Sequence, residues 1–433
     1  MMKRQHSLDL IPGHKTEVLM MDIDTRQQVS GNALESRVVR WIMMRVGNPR
    51  VLVRMWNGEE FCLADGRPVA CLEFRDRRVI PELIMSTSVG FGECYSKGMI
   101  EVHGDFVAFA DEITRAITEK YRGRYNLQKI HSLLASVRGN TLSRSQQNVQ
   151  HHYDLGNEFY RLWLDPRMVY TCAYYEHADA TLEQAQLAKL DHVCRKLRLR
   201  PGQEVIEAGC GWGSLALHMV QHYGVRVKAY NNSIEQVSFA REEAARLGLD
   251  SSRLTFVKDD YRNITGRCDA FVSIGMLEHV GRKHYRNLGK LIRNCLKPGG
   301  IGLIHSIGRS RPAPVDAWIA RHIFPGGHIP SLSEMSEIFE PFEFSILDIE
   351  NLRLHYARTC RAWLANFERV KDEVSAMYSE EFARAWRLYL AGSSAGFHTG
   401  TLQLYQVLIA PPGNNSVPWT RKYQYGESET PGR

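Results

Sequence analysis

The stretch that most constrains the fold is Val205-Ile206-Glu207-Ala208-Gly209-Cys210-Gly211-Trp212-Gly213. It reads as an apolar strand that ends in an acid, followed by three glycines at alternate positions and an apolar helix. Glycine takes positive φ and has no Cβ, so a ligand can approach the backbone closely at such a turn. The spacing G-x-G-x-G differs from the dinucleotide fingerprint G-x-G-x-x-G, and the loop carries no lysine for a phosphate. The pattern therefore favours S-adenosylmethionine, with an ordinary strand-to-helix turn as the alternative.

Strands alternate with helices along residues 204–305. Alternation of this kind implies right-handed crossovers and a parallel, doubly wound α/β sheet, whose ligands bind beyond the carboxyl ends of the strands. Glu278 and His305 fall at such ends, although single polar residues there are more often surface or capping groups. The predicted strands are Glu204–Ala208, Val225–Tyr230, Leu254–Val257, Ala270–Ser273 and Gly302–His305, and the helices between them include Ile234–Leu247 and Tyr285–Cys295.

The sequence divides into four parts: a small mixed α/β domain over residues 1–120, a linker over 121–150, the main domain over 151–410 and a tail over 411–433. In the first part we predict strands at Val51–Trp56 and Val69–Phe74, a helix at Phe106–Tyr121 and a glycine-rich turn at Gly90–Tyr95. After Pro330 we predict helices at Ser333–Phe339, Thr359–Val370 and Glu380–Ala391, then a strand at Thr401–Ile409. The tail, rich in Pro, Gly, Asn and Ser, is predicted to be disordered.

Composition narrows the class of protein. A hydrophobic share of 44% and a charged share of 24% are typical of soluble globular proteins, and no apolar run approaches the roughly 20 residues that span a bilayer. The nine cysteines include no C-x-x-C pair, which favours a reducing cytoplasm and argues against a disulfide framework or a metal site.

The net charge of +7 permits an anionic partner, either a membrane surface or nucleic acid. Between Glu119 and Asp154 there are several basic residues and no acid. This linker is either a solvated helix or a patch that docks on phosphate head groups.

Several blocks of sequence, in order, resemble the cyclopropane-fatty-acyl-phospholipid synthases and the related mycolic acid cyclopropane synthases. These families are S-adenosylmethionine-dependent, and the resemblance covers roughly residues 145–410. It implies a Rossmann-like class I methyltransferase domain preceded by a smaller N-terminal α/β domain that engages lipid. The blocks are His152–Asn157, Tyr170–Tyr174, Glu207–Gly213, Gly275–Gly281, Phe324–Ser331 and His355-Tyr356, with a weaker match at Ala395–Phe397.

Site residues are carried over from the resemblance by position. Those implied for S-adenosylmethionine are Tyr170, Thr171, Glu207, Gly209, Gly211, Gly213, the segment 231–236 with Asn231, Ser233 and Gln236, and Asp260, the last near the adenine. A bicarbonate ion and the catalytic site are implied at Cys172, Glu278, His305, Ile307 and Tyr356. Tyr174, Phe324 and Trp363 are further candidates for shielding a cation. Tyr230-Asn231-Asn232-Ser233 departs from the usual family pattern, which leaves the ribose contacts open.

The implied reaction transfers the methylene carbon of S-adenosylmethionine to the cis double bond of an unsaturated phospholipid acyl chain. Loss of a different proton would give a methylene- or methyl-branched chain instead. A small-molecule methyltransferase and a non-catalytic lipid-binding protein are more distant alternatives. The expected partners are an unsaturated phospholipid and a second copy of the chain, with no nucleic acid. The expected location is the cytoplasm, peripherally on the inner face of the cell membrane.

Overall fold

Two β-sheets organise the chain, and the computed structural model describes them within residues 33–122 and 155–426. The smaller sheet contains β1 (Val51–Arg54), β2 (Glu60–Phe61), β3 (Ala70–Phe74) and β4 (Ile100–Gly104). Its order is β2-β1-β3-β4, and only the β1–β3 pair is parallel. Four helices accompany it: α1 (Ala33–Val46), α2 (Val79–Met85), α3 (Thr87–Ser96) and α4 (Phe106–Lys120).

The larger sheet has seven strands: β5 (Glu204–Ala208), β6 (Arg226–Asn231), β7 (Leu254–Lys258), β8 (Cys268–Ile274), β9 (Leu296–Gly308), β10 (Ser345–Asn351) and β11 (Gln403–Ala410). Their order is β10-β11-β9-β8-β5-β6-β7, with β5 to β9 parallel and β11 antiparallel to both of its neighbours. The predicted Rossmann-like sheet is confirmed. The strand β10 is not predicted from the sequence, and its residues Leu347 and Ile349 alternate with Asp348 and Glu350.

Helices cover both faces of this sheet, and the loops that connect them to the strands lie at its edges. The helix Leu182–Lys196 begins with a capping box between Thr181 and Gln184. The helices are α5 (Gly156–Arg161), α6 (Leu182–Lys196), α7 (Ser214–Tyr223), α8 (Ile234–Arg246), α9 (Leu277–Val280), α10 (Tyr285–Cys295), α11 (Ala317–His322), α12 (Leu332–Phe339), α13 (Arg353–Met377) and α14 (Glu380–Thr399). No helix among residues 33–122 and 155–426 is both long and apolar enough to cross a membrane.

The predicted glycine-rich turn at Gly90–Tyr95 is wrong, because these residues belong to α3. Ser86 caps that helix by accepting a hydrogen bond from Val89 N. The glycines serve close packing rather than a turn. A Cβ at Gly90 would lie 2.3 Å from Glu82 O, and one at Gly92 would lie 2.3 Å from the ring of Trp318. Glycine is therefore required here by its small size, although it lowers helix propensity.

The tail also differs from its predicted disorder, since residues 411–426 pack against the main domain. Asn414 Nδ2 donates to Gly300 O at 3.0 Å, and Arg421 Nε donates to Asp348 Oδ1 at 2.6 Å. The carbonyl of Gln424, a buried residue, accepts a hydrogen bond from Arg195 Nε at 2.9 Å. Specific contacts thus order a segment whose composition alone predicts none.

The smaller sheet shares a hydrophobic core with α13 and α14. Buried residues of this core include Val53 and Tyr95 from the N-terminal part and Trp363 and Trp386 from the two long helices. Arg384 on α14 donates to Tyr95 O at 2.7 Å. The smaller sheet is thereby attached to α14, and through the shared core to α13. Of the predicted basic linker, only Tyr121 and Arg122 are among the described residues.

Candidate functional site

The glycine loop joins β5 to α7 at the carboxyl edge of the large sheet. Gly209, Gly211 and Gly213 have φ of +83°, +55° and +86°, values that favour glycine. A Cβ at Gly211 would meet nothing within 4 Å, so this position opens onto space. At Gly213 a Cβ would approach Ala240 and Phe256 at 2.8 Å, so Gly213 serves packing beneath the loop.

A cavity lies above this loop, and most of the residues implied for S-adenosylmethionine line it. Ser233, Gly213 and Asp260 do not. Ser233 caps α8 by accepting from Gln236 N at 3.3 Å, and Asp260 accepts from Asn232 Nδ2 at 3.2 Å. Of the residues implied for S-adenosylmethionine, those that line the cavity are Tyr170, Thr171, Glu207, Gly209, Gly211, Asn231 and Gln236.

Other residues of the wall are not predicted from the sequence to contact the cofactor, and they include Lys189, Trp212, Asp259 and His279. Asn232 also lines the cavity and lies within the segment 231–236 implied for the cofactor. Asp259 precedes the predicted Asp260, and the Asn232 side chain lies beside the expected Asn231. Only the distance to the glycine loop in space identifies Lys189, since on α6 it reads as an ordinary solvated lysine.

The acid at the end of β5, Glu207, is buried. Glu207 Oε2 has no hydrogen-bond partner among the described residues. Burial raises the pKa of Glu207 to about 8, with Lys189 acting in the opposite direction. Burial also lowers the pKa of Lys189, to about 8, and Lys189 Nζ donates to Thr171 Oγ1 at 3.2 Å. The cavity wall thus holds two buried ionisable groups of opposite type.

Glu278 begins the group of residues implied for catalysis. It lies on α9, next to His279, which lines the cavity. Its Oε1 accepts a hydrogen bond from Ile307 N at 2.6 Å, and its Oε2 has no partner among the described residues. Burial raises the pKa of Glu278 to about 7, while the Ile307 hydrogen bond acts to lower it. The carboxyl group therefore changes charge near neutral pH.

His305 lies two residues before Ile307 on β9, so both side chains project from the same face of the sheet. Gln406 Nε2 lies 3.1 Å from its Nδ1, while its Nε2 has no partner among the described residues. Burial lowers the pKa of His305 to about 3, so the ring is neutral at physiological pH. With the Gln406 amide donating to Nδ1, the ring proton is on Nε2.

Cys172 and Tyr356 meet around the backbone of Leu352. Cys172 Sγ is 3.9 Å from Leu352 O, and Tyr356 N donates to the same oxygen at 3.1 Å. Both residues belong to the core cluster against which Ile307 packs. Burial raises the pKa of the Cys172 thiol and of the Tyr356 hydroxyl, so both are neutral.

The three aromatic candidates for shielding a cation have separate surroundings. Trp363 contacts the rings of Tyr170 and Tyr356, at centroid distances of 5.2 and 5.8 Å. Phe324 lies edge-on to Tyr389 at 5.7 Å. Tyr174 is instead stacked between two histidine rings, those of His192 at 4.2 Å and His355 at 4.8 Å. Trp363 thus contacts both a cavity residue, Tyr170, and Tyr356, while Phe324 also contacts the cavity residue His279 at 6.0 Å.

The upstream block from His152 to Asn157 is described only from Leu155 onward. Within it, Asn157 Oδ1 accepts a hydrogen bond from Trp212 Nε1 at 2.7 Å. Since Trp212 lines the cavity, this contact joins the end of the block to the glycine loop.

Comparison with known proteins agrees with this geometry. The family model described as mycolic acid cyclopropane synthetase matches residues 140–407, more than half of the chain. A relative from Pseudomonas putida named "Probable fatty acid methyltransferase" is 33% identical over 387 residues, covering 86% of this chain and 95% of the relative. The cyclopropane-fatty-acyl-phospholipid synthase of Escherichia coli K12 is 35% identical over 362 residues, covering 82% and 91%.

Solved structures point the same way. A cyclopropane synthase from Mycobacterium tuberculosis is similar with a TM-score of 0.58 and 31% identity, covering 61% of this chain and 98% of that one. A mycolic acid cyclopropane synthase complexed with SAH and CTAB also has a TM-score of 0.58, at 32% identity, covering 61% and 97%. The chain is therefore an S-adenosylmethionine-dependent enzyme that belongs to the mycolic acid cyclopropane synthetase family.

Proposed function

We propose that this chain is a cyclopropane-fatty-acyl-phospholipid synthase. It would transfer the methylene carbon of S-adenosylmethionine to the cis double bond of an unsaturated phospholipid acyl chain. The observation that carries the proposal is that two buried atoms, Glu278 Oε2 and His305 Nε2, have no hydrogen-bond partner among the described residues. Glu278 precedes His279, and His305 pairs with Ile274, and both of these neighbours line the cofactor cavity. The match to the Escherichia coli synthase over most of both chains supports the substrate class.

The arrangement suits attack by an alkene. An alkene is a weak nucleophile, and S-adenosylmethionine supplies a methyl group on a sulfonium, which is a strong electrophile. The chain's own part is to exclude water and to hold the polar groups of the site neutral. Cys172, His305 and Tyr356 are uncharged at physiological pH, so they offer no anionic nucleophile to a cationic acyl chain.

Ring closure requires a base near the new methyl group, and the residues present fit a small oxyanion. His305 Nε2–H and the hydroxyl of Tyr356 are donors, and the neutral form of Glu278 adds a third. A bound bicarbonate would supply a base at this position. A general base must lie within hydrogen-bond reach of the proton it removes. Glu278, His305 and Tyr356 are therefore assigned to holding this ion.

The alternative is a related fatty-acid methyltransferase that makes a methylene- or methyl-branched chain. The name of the Pseudomonas putida relative, which aligns with more of this chain than the Escherichia coli synthase does, favours it. The two reactions share the cofactor and the lipid and differ in which proton is lost. The retained Glu278 and His305 favour loss from the new methyl group, which closes the ring.

We also propose that the enzyme works as a homodimer in the cytoplasm, bound peripherally to the inner face of the membrane. The basic run that begins at Lys120 and Arg122, with its lack of acids up to Asp154, supports attraction to anionic lipid. The dimer rests on the family resemblance alone.

Mass spectrometry of fatty acids from cells that lack such an enzyme tests the function directly. Expression of this chain should add the mass of one CH₂ to monounsaturated acyl chains. NMR of the isolated product then distinguishes a cyclopropane from a branched alkene. If no mass shift occurs although the purified protein binds S-adenosylhomocysteine, the lipid substrate is wrong.

A further inference from the structure

Two buried side chains of opposite charge type line the cofactor cavity on neighbouring elements. Lys189 on α6 and Glu207 at the end of β5 are each only 2% exposed. Lys189 Nζ donates to a neutral hydroxyl, Thr171 Oγ1, at 3.2 Å. Glu207 Oε2 lacks any hydrogen-bond partner among the described residues. Both groups face the same space.

A second buried lysine on the same helix shows how the fold treats such a group elsewhere. Lys196, seven residues after Lys189, is wholly buried and donates to Glu350 Oε2 at 2.5 Å. That lysine has its carboxylate within the protein. Lys189 forms no ion pair among the described residues, although, against the larger effect of burial, the carboxyl groups of Asp165 and Glu207 both act to raise its pKa. A buried charge without a direct partner is costly, and groups at binding sites keep that cost because a ligand completes them.

The proposed cofactor carries both complementary groups on one carbon atom. Its methionine end has an α-carboxylate, which pairs with an ammonium, and an α-ammonium, which pairs with a carboxylate. We propose that Lys189 binds the α-carboxylate and Glu207 the α-ammonium, so that the two residues form a clamp for the amino-acid end of the ligand. This proposal rests on the proposed function and adds Lys189 to the cofactor site.

The clamp predicts a ligand specificity that a purely structural role for Lys189 and Glu207 would not produce. The amino-acid end, rather than the nucleoside, should require Lys189 and Glu207. Replacing a residue that binds one ligand group should matter only for ligands that carry that group. A lysine that merely supports α6 or the Thr171 loop would affect every adenosyl ligand alike.

Isothermal titration calorimetry with four ligands tests this on the full chain. The ligands are S-adenosylhomocysteine, its decarboxylated analogue, its deaminated analogue and methylthioadenosine, which lacks both groups. Lys189→Met should weaken S-adenosylhomocysteine about tenfold or more, and the deaminated analogue similarly. The same substitution should change binding of the decarboxylated analogue and of methylthioadenosine less than about threefold. Glu207→Gln should show the reverse preference for the two analogues.

Lys196→Met is the matched control, since this lysine is buried on the same helix but does not line the cavity. It should affect all four ligands equally or not at all. An equal loss for all ligands in Lys189→Met would overturn the clamp. If Lys189→Met does not fold, the milder Lys189→Gln takes its place, and wild-type binding of either analogue as tightly as S-adenosylhomocysteine would also overturn the clamp. Failure of the wild type to bind any ligand would instead refute the proposed function.

Discussion

Glu278 has one carboxylate oxygen bonded to Ile307 N and the other without a partner, on a group whose pKa is raised to about 7. Burial at this position therefore sets the charge state of Glu278. Glu278→Ala should lower turnover about 100-fold and change S-adenosylhomocysteine affinity less than threefold. Initial rates and calorimetry measure the two effects. Equal losses in both would remove Glu278 from the catalytic site.

The raised pKa also fixes the direction of a pH effect. Below pH 7 the carboxyl is neutral and can donate a hydrogen bond, whereas above pH 7 it is an anion that would repel the proposed bicarbonate. At a fixed bicarbonate concentration, activation of the wild type should weaken as the pH rises from 7 to 8.5. Glu278→Gln, which stays neutral, should show no such weakening. Activation that strengthens with pH in the wild type would contradict this assignment.

Glu207 gives a second titration. Because burial raises its pKa to about 8, this carboxyl is mostly protonated in the free protein at pH 7. A ligand ammonium favours the carboxylate, so binding of S-adenosylhomocysteine at pH 7 should release up to about one proton. Lys189, the charged group that faces it, is mostly protonated at this pH and takes up little. Calorimetry in buffers of different ionisation enthalpy counts the protons, and Glu207→Gln should abolish the release.

At the scale of secondary-structure elements, the strands of the large sheet were the most predictable part. Their apolar runs end in polar residues, and parallel strands bring these ends to one edge, so Glu207, Glu278 and His305 could be expected near the ligand. Cys172 and Tyr356 follow only from the family resemblance. Lys189 could not be predicted, because only packing of α6 on the glycine loop makes it part of the cavity. The turn predicted at Gly90–Tyr95 was wrong because close helix packing and tight turns both require glycine.

The attachment of α14 to the smaller sheet depends on Arg384. Its guanidinium donates to Tyr95 O, to Ile100 O at 2.8 Å and to Glu101 Oε2 at 3.0 Å. Arg384→Met would leave two buried carbonyls and a carboxylate without this donor. We expect the free energy of unfolding, measured with urea, to fall by about 3 kcal/mol.

Arg361 provides the matched control for Arg384. It bonds Asp111 on α4 at 2.9 Å, so it also joins the two parts of the chain, but its side chain is 43% exposed. Arg361→Met should cost less than about 1 kcal/mol. Similar losses for the two variants would mean that burial does not set the strength of the attachment.

At the scale of the whole molecule, the proposed membrane contact should depend on charge. Replacing Arg122, Arg124 and Lys129 with Gln removes three positive charges from the linker. Binding to anionic vesicles should weaken by about 3 kcal/mol at low salt, and less at high salt. Vesicle sedimentation measures this, with the exposed Arg226, Arg246 and Arg321 replaced by Gln as the control. Unchanged binding would leave residues 121–150 as a linker only.

The packed tail has a consequence for how this protein is shortened or fused. The family match ends at residue 407 and the last strand at Ala410, yet Arg421 and Gln424 still contact β10 and α6. A chain cut after Ala410 would keep every shared motif and lose the cover over the helix that carries Lys189. A partner protein joined at that point would leave this surface of α6 and β10 without the contacts of Arg421 and Gln424. The segment that the family model matches therefore ends before the segment that packs onto the main domain does.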